Sequence, residues 1–479
     1  MSGFTLRPYQ RDLVGKVRRS LRSVRRVVLQ SPTGSGKTVL TAHMISRAAD
    51  RGLSSWFLVH RRELLDQTSG ALWESGVEHG IIAGGRTQTK DRVQVATVQT
   101  LVRRLDKLPP PNFLIIDEAH HTAAASYRNV MDHCTRSWVV GLTATPCRTD
   151  GRGLDDLFDD LVEGPSVQWL IEQGFLAPYR VVAPSEALDL TGVRSRAGDY
   201  ARGELEAVVD QQAIVGDAVD HYRKYVAARA NGAPPSCLVY CVSRAHARHV
   251  EEAYRRAGID ARYCAGDTPK SDRNAIVAGF QHGDPPVIVS VDLFGEGLDV
   301  PGLRAVQLLR PTQSLGLHLQ QVGRALRPER GKTAMILDHV GNTWKHGLPD
   351  DEREWTLEGS RNRKKEGDDT GPDLRHCEGC YMVFRAQLGS CPGCGWTPET
   401  TPKPDLPEHV DGELEEVDPE EHRRRRRREE ASARGLEALV ALAKKRGYKP
   451  GWAAYRHAAR TGEPVQKAKA REYQIRRSY

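Results

Sequence analysis

The sequence predicts an α/β protein with two tandem parallel sheets that are covered by helices. Three observations support this fold class: short apolar strand-like runs alternate with helical patterns, the alternation occurs twice along the chain, and a glycine-rich loop follows the first strand. The predicted strands are 27–29, 56–59, 93–96, 113–116 and 138–142 in the first half, and 237–241, 261–263, 287–291, 305–308 and 333–337 in the second.

Changes in composition divide the remaining chain. After the second alternation comes a charged stretch, then a cysteine cluster, then a Pro-rich acidic stretch with an arginine run, and finally a basic helical pattern. The predicted segments are two α/β domains (1–180 and 181–345, joined by a less regular stretch around 165–215), a charged linker (346–372), a cysteine-rich module (373–398), a disordered linker (399–430) and a basic helical segment (431–479).

Length and hydropathy bound the class of protein. The 479 residues suffice for about three domains with ample cores. Apolar runs stay below the ~20 residues that a membrane helix needs, and the N-terminus lacks the apolar region of a signal peptide, so we expect a soluble intracellular protein. Scattered cysteines in apolar or loop contexts are expected to be buried free thiols; these are Cys134, Cys147, Cys237, Cys241 and Cys264.

The basic charge is concentrated in the tail. Residues 423–479 contain 18 Lys and Arg against 5 Asp and Glu, a balance of +13, so the rest of the chain carries −5 of the net +8. This distribution is typical of a surface that binds a polyanion.

The glycine-rich loop Ser-Pro-Thr-Gly-Ser-Gly-Lys-Thr at residues 31–38 lies between a strand and a helix start. Backbone N–H groups around Gly34, Ser35 and Gly36 are expected to cradle phosphate oxygens, Lys37 to reach the β- and γ-phosphates, and Thr38 to ligate Mg²⁺. The alternative is a glycine-rich turn with a chance lysine.

Two carboxylates follow the apolar strand at 113–116. Because parallel sheets bind ligands beyond the carboxyl ends of their strands, Asp117 is predicted to hold Mg²⁺ and Glu118 to orient or deprotonate a water. Acidic residues at a strand end are also common in turns without function, but the phosphate loop upstream favours a catalytic pair.

Four cysteines form a CxxC, ten-residue, CxxC pattern, which suits tetrahedral Zn²⁺ in a closed structural site. Redox exchange and two disulfides are the alternatives, and His376 is predicted to be a neighbour rather than a ligand. The predicted zinc ligands are Cys377, Cys380, Cys391 and Cys394.

Aromatic residues in the tail are interleaved with lysine and arginine, which predicts phosphate contacts from the basic groups and base stacking on the rings. Alternatively, Trp452 and Tyr455 form the core of a small helical bundle. The arginine run at 423–428 could also serve localisation or balance the acidic stretch at 405–421. The aromatic residues are Tyr448, Trp452, Tyr455 and Tyr473.

The ordered set of motifs resembles that of superfamily 2 DEAD/DEAH-box helicases over about residues 5–340. The first-position serine of the phosphate loop is ordinary in that family. The segments that carry the resemblance are 6–10 (LRPYQ), 31–38, 58–64, 95–100, 117–120 (DEAH), 141–146 (GLTATP), 239–243, 295–301 (GEGLDVP) and 320–327 (QQVGRALR).

This resemblance implies two RecA-like domains with ATP and Mg²⁺ between them. Arginines of the second domain would act as fingers that stabilise phosphoryl transfer, although an RxxR pair can also be solvated helix charge. The residues implied are Arg7 and Gln10 for the adenine, Gly297 and Asp299 for the nucleotide, and Gln320, Arg324 and Arg327 for catalysis.

A late stretch, 336–342 with 344–347 and the cysteine cluster, resembles the RadD-like bacterial and phage DNA helicases. It implies a nucleoid-associated cytoplasmic enzyme of repair, recombination or phage replication that acts on single-stranded, forked or branched DNA beside replication or repair proteins. The cofactors implied are ATP, Mg²⁺ and Zn²⁺. The alternatives are the motor of a restriction-type system, an RNA helicase, and a non-catalytic ATP-gated binding module.

Overall fold

The computed structural model describes residues 5–122, 124–148, 151–196, 199–210, 212–229, 236–294, 302–358, 373–397, 428–446 and 451–477. They belong to two units, 1–398 and 399–479, which are treated separately below. Several sequence predictions fall outside the described residues, namely Gly297, Asp299, Tyr448, the arginines 423–427 and most of the linkers.

The first sheet has seven strands in the order β3-β4-β2-β5-β6-β1-β7, and every pair is parallel. Its central strands are buried along their whole length, which explains their continuous apolar character. The strands are β1 (Arg26–Gln30), β2 (Ser55–Val59), β3 (Gly80–Ile82), β4 (Val93–Thr97), β5 (Phe113–Ile116), β6 (Trp138–Thr143) and β7 (Asp160–Glu163).

The second sheet has eight strands in the order β12-β13-β11-β14-β15-β8-β17-β16, of which the first six run parallel. A separate antiparallel pair, β9 (Ser195–Arg196) and β10 (Asp199–Tyr200), precedes most of it in sequence. The strands are β8 (Tyr179–Val182), β11 (Cys237–Tyr240), β12 (Ala261–Ala265), β13 (Val287–Val291), β14 (Ala305–Leu308), β15 (Ala334–Asp338), β16 (Leu374–His376) and β17 (Met382–Arg385).

Helices connect the parallel strands of both sheets. They are α1 (Pro8–Ser20), α2 (Lys37–Ala49), α3 (Arg62–Glu74), α4 (Val98–Val102), α5 (Ala125–His133), α6 (Val167–Glu172), α7 (Arg202–Val209), α8 (Gln212–Tyr225), α9 (Arg244–Arg256), α10 (Lys270–Phe280), α11 (Leu315–Ala325) and α12 (Asn342–His346).

The predicted fold class is confirmed, since both halves contain a largely parallel sheet with connecting helices. Every strand predicted from the apolar runs is present, with bounds that differ by at most two residues. The short strands that were not predicted are β3, β7, β8, β9, β10, β16 and β17. The boundary proposed between residues 180 and 181 falls inside β8, a strand of the second sheet.

The cysteine-rich module is joined to the second sheet. Strand β17 pairs antiparallel with β8, and β16 pairs antiparallel with β17, so the hairpin extends the parallel sheet at one edge. Arg385 strengthens this junction because its guanidinium pairs with Asp350 at 3.0 Å and with Asp351 at 2.6 Å.

Part of the predicted charged linker lies against the first domain. The Leu357 carbonyl accepts hydrogen bonds from the backbone N–H groups of Leu154 (2.6 Å) and Asp155 (3.1 Å). The Leu357 side chain packs on the apolar cluster beneath the first sheet. Residues 347–358 therefore form an ordered arm in this structure.

The described part of the second unit contains helices Gly435–Lys445, Trp452–Thr461 and Val465–Arg477, preceded by helical residues 428–432. Helix Gly435–Lys445 carries apolar residues at i, i+3, i+4 and i+7, and this face forms the core, since Leu436, Leu439, Val440 and Ala443 are all buried.

All five scattered cysteines are buried, as predicted, and Cys134, Cys237, Cys241 and Cys264 are free thiols. Burial raises the pKa of Cys134 to about 11 and that of Cys264 to about 12, so both thiols stay protonated at neutral pH. Within the described ranges, helices long and apolar enough to cross a bilayer are absent.

Candidate active site

The loop at residues 31–38 connects the end of β1 to the start of α2. Gly34 and Gly36 adopt positive φ angles of 85° and 83°, which side chains with a Cβ rarely tolerate, so glycine is required at both turns. Lys37 Nζ folds back over the loop and donates to the carbonyl oxygens of Ser31 (3.0 Å) and Pro32 (3.3 Å). The ammonium group is thereby held where a phosphate bound at the start of α2 would meet it.

Helix α11 of the second domain lies directly on this loop. A Cβ built on Gly323 would lie 2.6 Å from Cβ of Thr33, so only glycine permits this approach. On the other side, a Cβ on Gly34 would lie 2.9 Å from a methyl group of Leu176. The second domain therefore contacts the first at this loop, and a site at this place receives side chains from both domains.

A cavity of about 830 Å³ opens beside the loop, a size typical of sites for ligands as large as a nucleotide. It joins the loop, the carboxylates after β5 and the end of α11. The polar residues that line it include Thr33, Lys37, Thr38, Thr41, Gln67, Thr68, Glu74, Asp117, Glu118, Arg324, Arg327, Glu329 and Lys332.

The carboxylates after β5 stand at the C-terminal edge of the first sheet. Glu118 is buried with a left-handed φ of 49°, a conformation that costs energy for a residue with a side chain and that concentrates at functional sites. Its Oε2 atom has no hydrogen-bond partner in the described part of the chain. A buried carboxylate oxygen of this kind, lining a polar cavity, is well suited to accept a hydrogen bond from a water.

His120 connects this carboxylate to β6. Its Nδ1 atom lies 3.5 Å from Oε2 of Glu118 and 3.1 Å from Oγ1 of Thr143. Thr143 Oγ1 in turn bonds the backbone of Thr145, whose own Oγ1 would lie 2.9 Å from a Cβ on Gly316 of α11. Polar contacts thus run from Glu118 through His120 to the segment after β6, where Thr145 packs closely on Gly316 of the second domain.

The electrostatics of the cavity favour an anion. Burial lowers the pKa of the Lys37 ammonium, against the opposing effect of Glu118 and Asp117, and burial also lowers the pKa of the Arg327 guanidinium. Because burial destabilises the charged form of each group, a polyanion that enters the cavity gains favourable contacts with cations that water does not solvate well.

The predicted adenine residues lie against the same loop. Gln10 Nε2 donates to the Ser35 carbonyl (3.2 Å), and the Arg7 backbone N–H donates to Gln10 Oε1 (3.0 Å). The Arg7 guanidinium stacks on the ring of Phe175, 4.7 Å from its centroid. The structure therefore brings Arg7 and Gln10 together beside the loop, although neither lines the cavity described above.

Gln320 is buried on α11 and does not line the cavity, whereas Arg324 and Arg327 do. Gly297 and Asp299 lie outside the described residues. Their predicted roles stay predictions.

Sequence reasoning missed Lys332. Its side chain lines the cavity, is 4% exposed, and donates from Nζ to the carbonyl oxygen of Arg327 (2.8 Å). Burial lowers its pKa to about 8. A lone lysine after Gly331 belongs to none of the motifs quoted above, so no signal in the sequence marked it.

A second missed contact crosses the domains at Arg61. Its guanidinium donates from Nη1 to the carbonyl oxygens of Asp292 (3.0 Å) and Leu293 (3.3 Å). Asp292 has a positive φ of 56°, so this arginine holds the second domain at a strained residue.

The four clustered cysteines converge in space. Their Sγ atoms all lie within 4.8 Å of one another, with 3.5 Å between Cys377 and Cys394 and between Cys380 and Cys391. A disulfide needs ~2.05 Å, whereas tetrahedral zinc with Zn–S bonds of ~2.3 Å separates its sulfurs by about 3.8 Å. The arrangement therefore fits a metal better than two disulfides.

Two known families match the chain. The family described as "Type III restriction enzyme, res subunit" matches residues 3–148, and the family described as "Helicase conserved C-terminal domain" matches residues 219–329. The first match contains the loop, α2 and both carboxylates, and the second contains α11 with Arg324 and, just after the helix, Arg327.

Curated relatives extend over both domains. A 51.5 kDa protein of a Lactococcus phage is 34% identical over 369 residues, which cover 77% of each chain. The helicase-family protein IRC3 of Saccharomyces cerevisiae is 31% identical over 357 residues, or 70% of this chain, and this chain spans about half (51%) of its length. The DNA 3′-5′ translocase XPB2 of Sulfurisphaera tokodaii is 25% identical over 376 residues, covering 70% of this chain and 81% of XPB2.

Among solved structures, a fragment of an HsdR-type subunit of a type I restriction enzyme from Vibrio vulnificus superposes with a TM-score of 0.57. It is 22% identical, and the superposition covers 71% of this chain and 65% of that one, so it supports the fold. The cavity lined by both domains, the two family matches and the curated relatives agree. The chain belongs to the superfamily 2 helicases and is an ATP-hydrolysing helicase or translocase.

Proposed function

We propose that this chain is a DNA motor that couples ATP hydrolysis to movement along DNA or to strand separation. The observation that carries the proposal is the cavity between the two domains, which Lys37 lines from one side and Arg324 and Arg327 from the other. Because such a site is complete only when both domains are in contact, ATP binding and product release would alternately close and open it.

The first domain would bind the triphosphate. Lys37 would exchange its bonds to the Ser31 and Pro32 carbonyls for bonds to phosphate oxygens, with backbone N–H groups at Gly34, Ser35 and Gly36 around them. Thr38 and Asp117 are suited to hold Mg²⁺, which supplies positive charge to the phosphates when bound. Glu118, which lines the cavity beside Asp117, would orient the attacking water and accept its proton.

The second domain would complete catalysis. Arg324 and Arg327 would stabilise the charge that develops on the transferred phosphoryl group, and Gln320 would support them from α11. Arg7 and Gln10 would contact the adenine, and Gly297 and Asp299 the nucleotide; these roles come from the family resemblance.

Two observations favour DNA as the nucleic acid along which the motor moves. The family that matches the first domain is that of a restriction enzyme subunit, and the archaeal relative is named a DNA translocase. The resemblance to RadD-like helicases adds a role in repair, recombination or phage replication in the cytoplasm, on single-stranded, forked or branched DNA.

We further propose one structural Zn²⁺ on the four cysteines, which would stiffen the hairpin at the edge of the second sheet.

The restriction-type family match also favours a second candidate, the motor of a restriction system with its nuclease on another chain. That motor would translocate on duplex DNA without separating the strands. A repair helicase would displace strands.

The test is a strand-displacement assay on forked, branched and RNA duplexes, beside displacement of a triplex-forming third strand from linear duplex DNA as the translocation assay. We expect ATP-dependent activity on DNA and its loss in Lys37→Ala, since removal of this cation leaves the phosphates without their main contact. DNA-stimulated ATP hydrolysis by Lys37→Ala at the parent rate would refute the site. Displacement restricted to RNA duplexes would refute DNA as the track.

A further inference from the structure

The tail unit uses its acidic side chains to hold its own fold. Both oxygens of the buried Glu472 accept backbone N–H groups at the start of helix Trp452–Thr461, from Gly451 (3.0 Å) and Ala454 (2.8 Å). This carboxylate therefore caps a helix and faces away from solvent.

The other acids are largely paired as well. Glu429 lies 2.5 Å from Arg446, Glu430 lies 2.9 Å from Arg456, and Glu463 lies 3.3 Å from both His457 and Arg471. Twelve Lys and Arg stand against five Glu over residues 428–446 and 451–477. Because four of the five acids are engaged internally, the excess positive charge is left for the surface.

Two large aromatic side chains are exposed on this basic surface. Tyr455 is 55% exposed and Tyr473 is 64% exposed, so the faces of both rings are open to a ligand. By contrast, Trp452 packs against the apolar core with Leu436 and Ala453. The sequence alternative that both Trp452 and Tyr455 are core residues therefore holds for Trp452 only.

Lys469 contacts Tyr455 and shares a helix face with Tyr473. Its Nζ atom lies 4.6 Å above the Tyr455 ring and 3.2 Å from the Tyr455 hydroxyl. Tyr473 follows Lys469 by four residues on helix Val465–Arg477, so both side chains project from the same face. We call Tyr455, Lys469 and Tyr473 the stacking face.

We infer that the stacking face binds single-stranded DNA, with bases stacked on Tyr455 and Tyr473 and phosphates near Lys469. Two exposed rings beside an ammonium match the combination that binds single strands without sequence preference. Paired duplex bases present no free ring faces to such rings, so duplex DNA would gain only the phosphate contacts. This site is built from residues of the second unit alone and does not depend on the motor activity proposed above.

The test measures binding of the full-length protein to a labelled thymidine oligonucleotide without ATP, in the Lys37→Ala background so that turnover plays no part. Tyr455→Ala and Tyr473→Ala should each weaken binding about fivefold or more, the lower end for loss of one stacked base. The matched Tyr455→Phe and Tyr473→Phe variants keep the rings and should bind as the parent does.

The salt dependence of DNA affinity distinguishes the contribution of base stacking from that of phosphate contacts. The alanine variants should keep the parent slope of log affinity against log salt, whereas Lys469→Gln should lower that slope by about one phosphate contact. Abasic oligonucleotide should bind the parent and the Tyr455→Ala/Tyr473→Ala double variant equally. Duplex DNA should likewise show no difference between them.

A measurement on the parent protein avoids any effect of substitution on folding. Ultraviolet crosslinking to a bromodeoxyuridine strand should give adducts at Tyr455 and Tyr473. Unchanged affinity of the double alanine variant, an equal loss in the phenylalanine variants, or adducts confined to residues 1–398 would each overturn the proposal.

Discussion

The ATP cleft and the helical bundle of the second unit (the tail bundle) differ in where they place their charged side chains. The cleft holds partly or fully buried cations, with Lys37, Arg324 and Lys332 facing the carboxylates Asp117 and Glu118 around one cavity. The bundle buries or pairs most of its acids and leaves its bases and two tyrosines exposed. Buried charges act strongly on one ligand in one geometry, whereas exposed charges act weakly and additively. Single substitutions should therefore nearly abolish function in the cleft and reduce it gradually in the tail.

The largest effect expected is that of Arg324→Ala. Removal of a positive charge that is needed only in the transition state should slow ATP hydrolysis by about a thousandfold or more and leave ATP affinity nearly unchanged. Arg330→Ala is the matched control, because Arg330 is an exposed arginine close to the same helix end. Steady-state turnover and nucleotide binding measured on both variants check the prediction. A parent-like turnover number for Arg324→Ala would exclude the finger role.

The cysteine site should show a smaller, structural effect. We expect about one zinc per chain by metal analysis, and we expect Cys391→Ser or chelation to remove it and release the hairpin from the second sheet. At ~2–4 °C per kcal/mol for a domain of this size, the melting temperature should fall by several degrees. Ser390→Ala, an exposed neighbour, is the control. Two disulfides and no zinc, found by mass spectrometry of the untreated protein, would contradict the assignment.

Deletion of residues 423–479 tests whether the exposed charges of the tail bundle contribute additively to DNA binding. The truncated chain should still hydrolyse ATP, but its DNA affinity should fall and its salt dependence should flatten, because phosphate contacts made by the tail are lost. Successive Lys→Gln changes on the exposed surface of the bundle should reproduce this loss in steps. An unchanged salt slope after deletion would remove the tail from the DNA-binding surface.

The sequence predicted the parts of the fold whose signal is local. Buried parallel strands such as Phe113–Ile116 are continuous apolar runs, and the loop at 31–38 has its own glycine signature. The half-exposed β7 and β8 lack such runs, and the pairing of β17 with β8 depends on two segments some 200 residues apart. Likewise, the motif order indicated which residues form the site, but only the fold shows that Gly323 contacts Thr33.

Lys332 should produce the smallest effect in the cleft, and one that depends on pH. Its pKa is lowered by burial from the usual 10.5 to about 8, so the free enzyme loses this cation as the pH rises through 8. We propose that the ammonium group attracts the phosphates and, through its bond to the Arg327 carbonyl, positions that arginine. The value of kcat/KM for ATP should then decline above about pH 8 in the parent and stay level in Lys332→Arg, whose guanidinium remains charged.

The lowered pKa of Lys332 also makes the free energy of unfolding depend on pH. Because the folded protein releases this proton at a lower pH than the unfolded chain, the protonated lysine costs stability below about pH 8, and this cost declines as the pH rises toward 10.5. Denaturant unfolding of Lys332→Met should therefore show less gain of stability between pH 8 and 10 than the parent. Parallel pH profiles of kcat/KM for the parent and Lys332→Arg would assign the lysine a structural role alone, since a packing contact does not titrate.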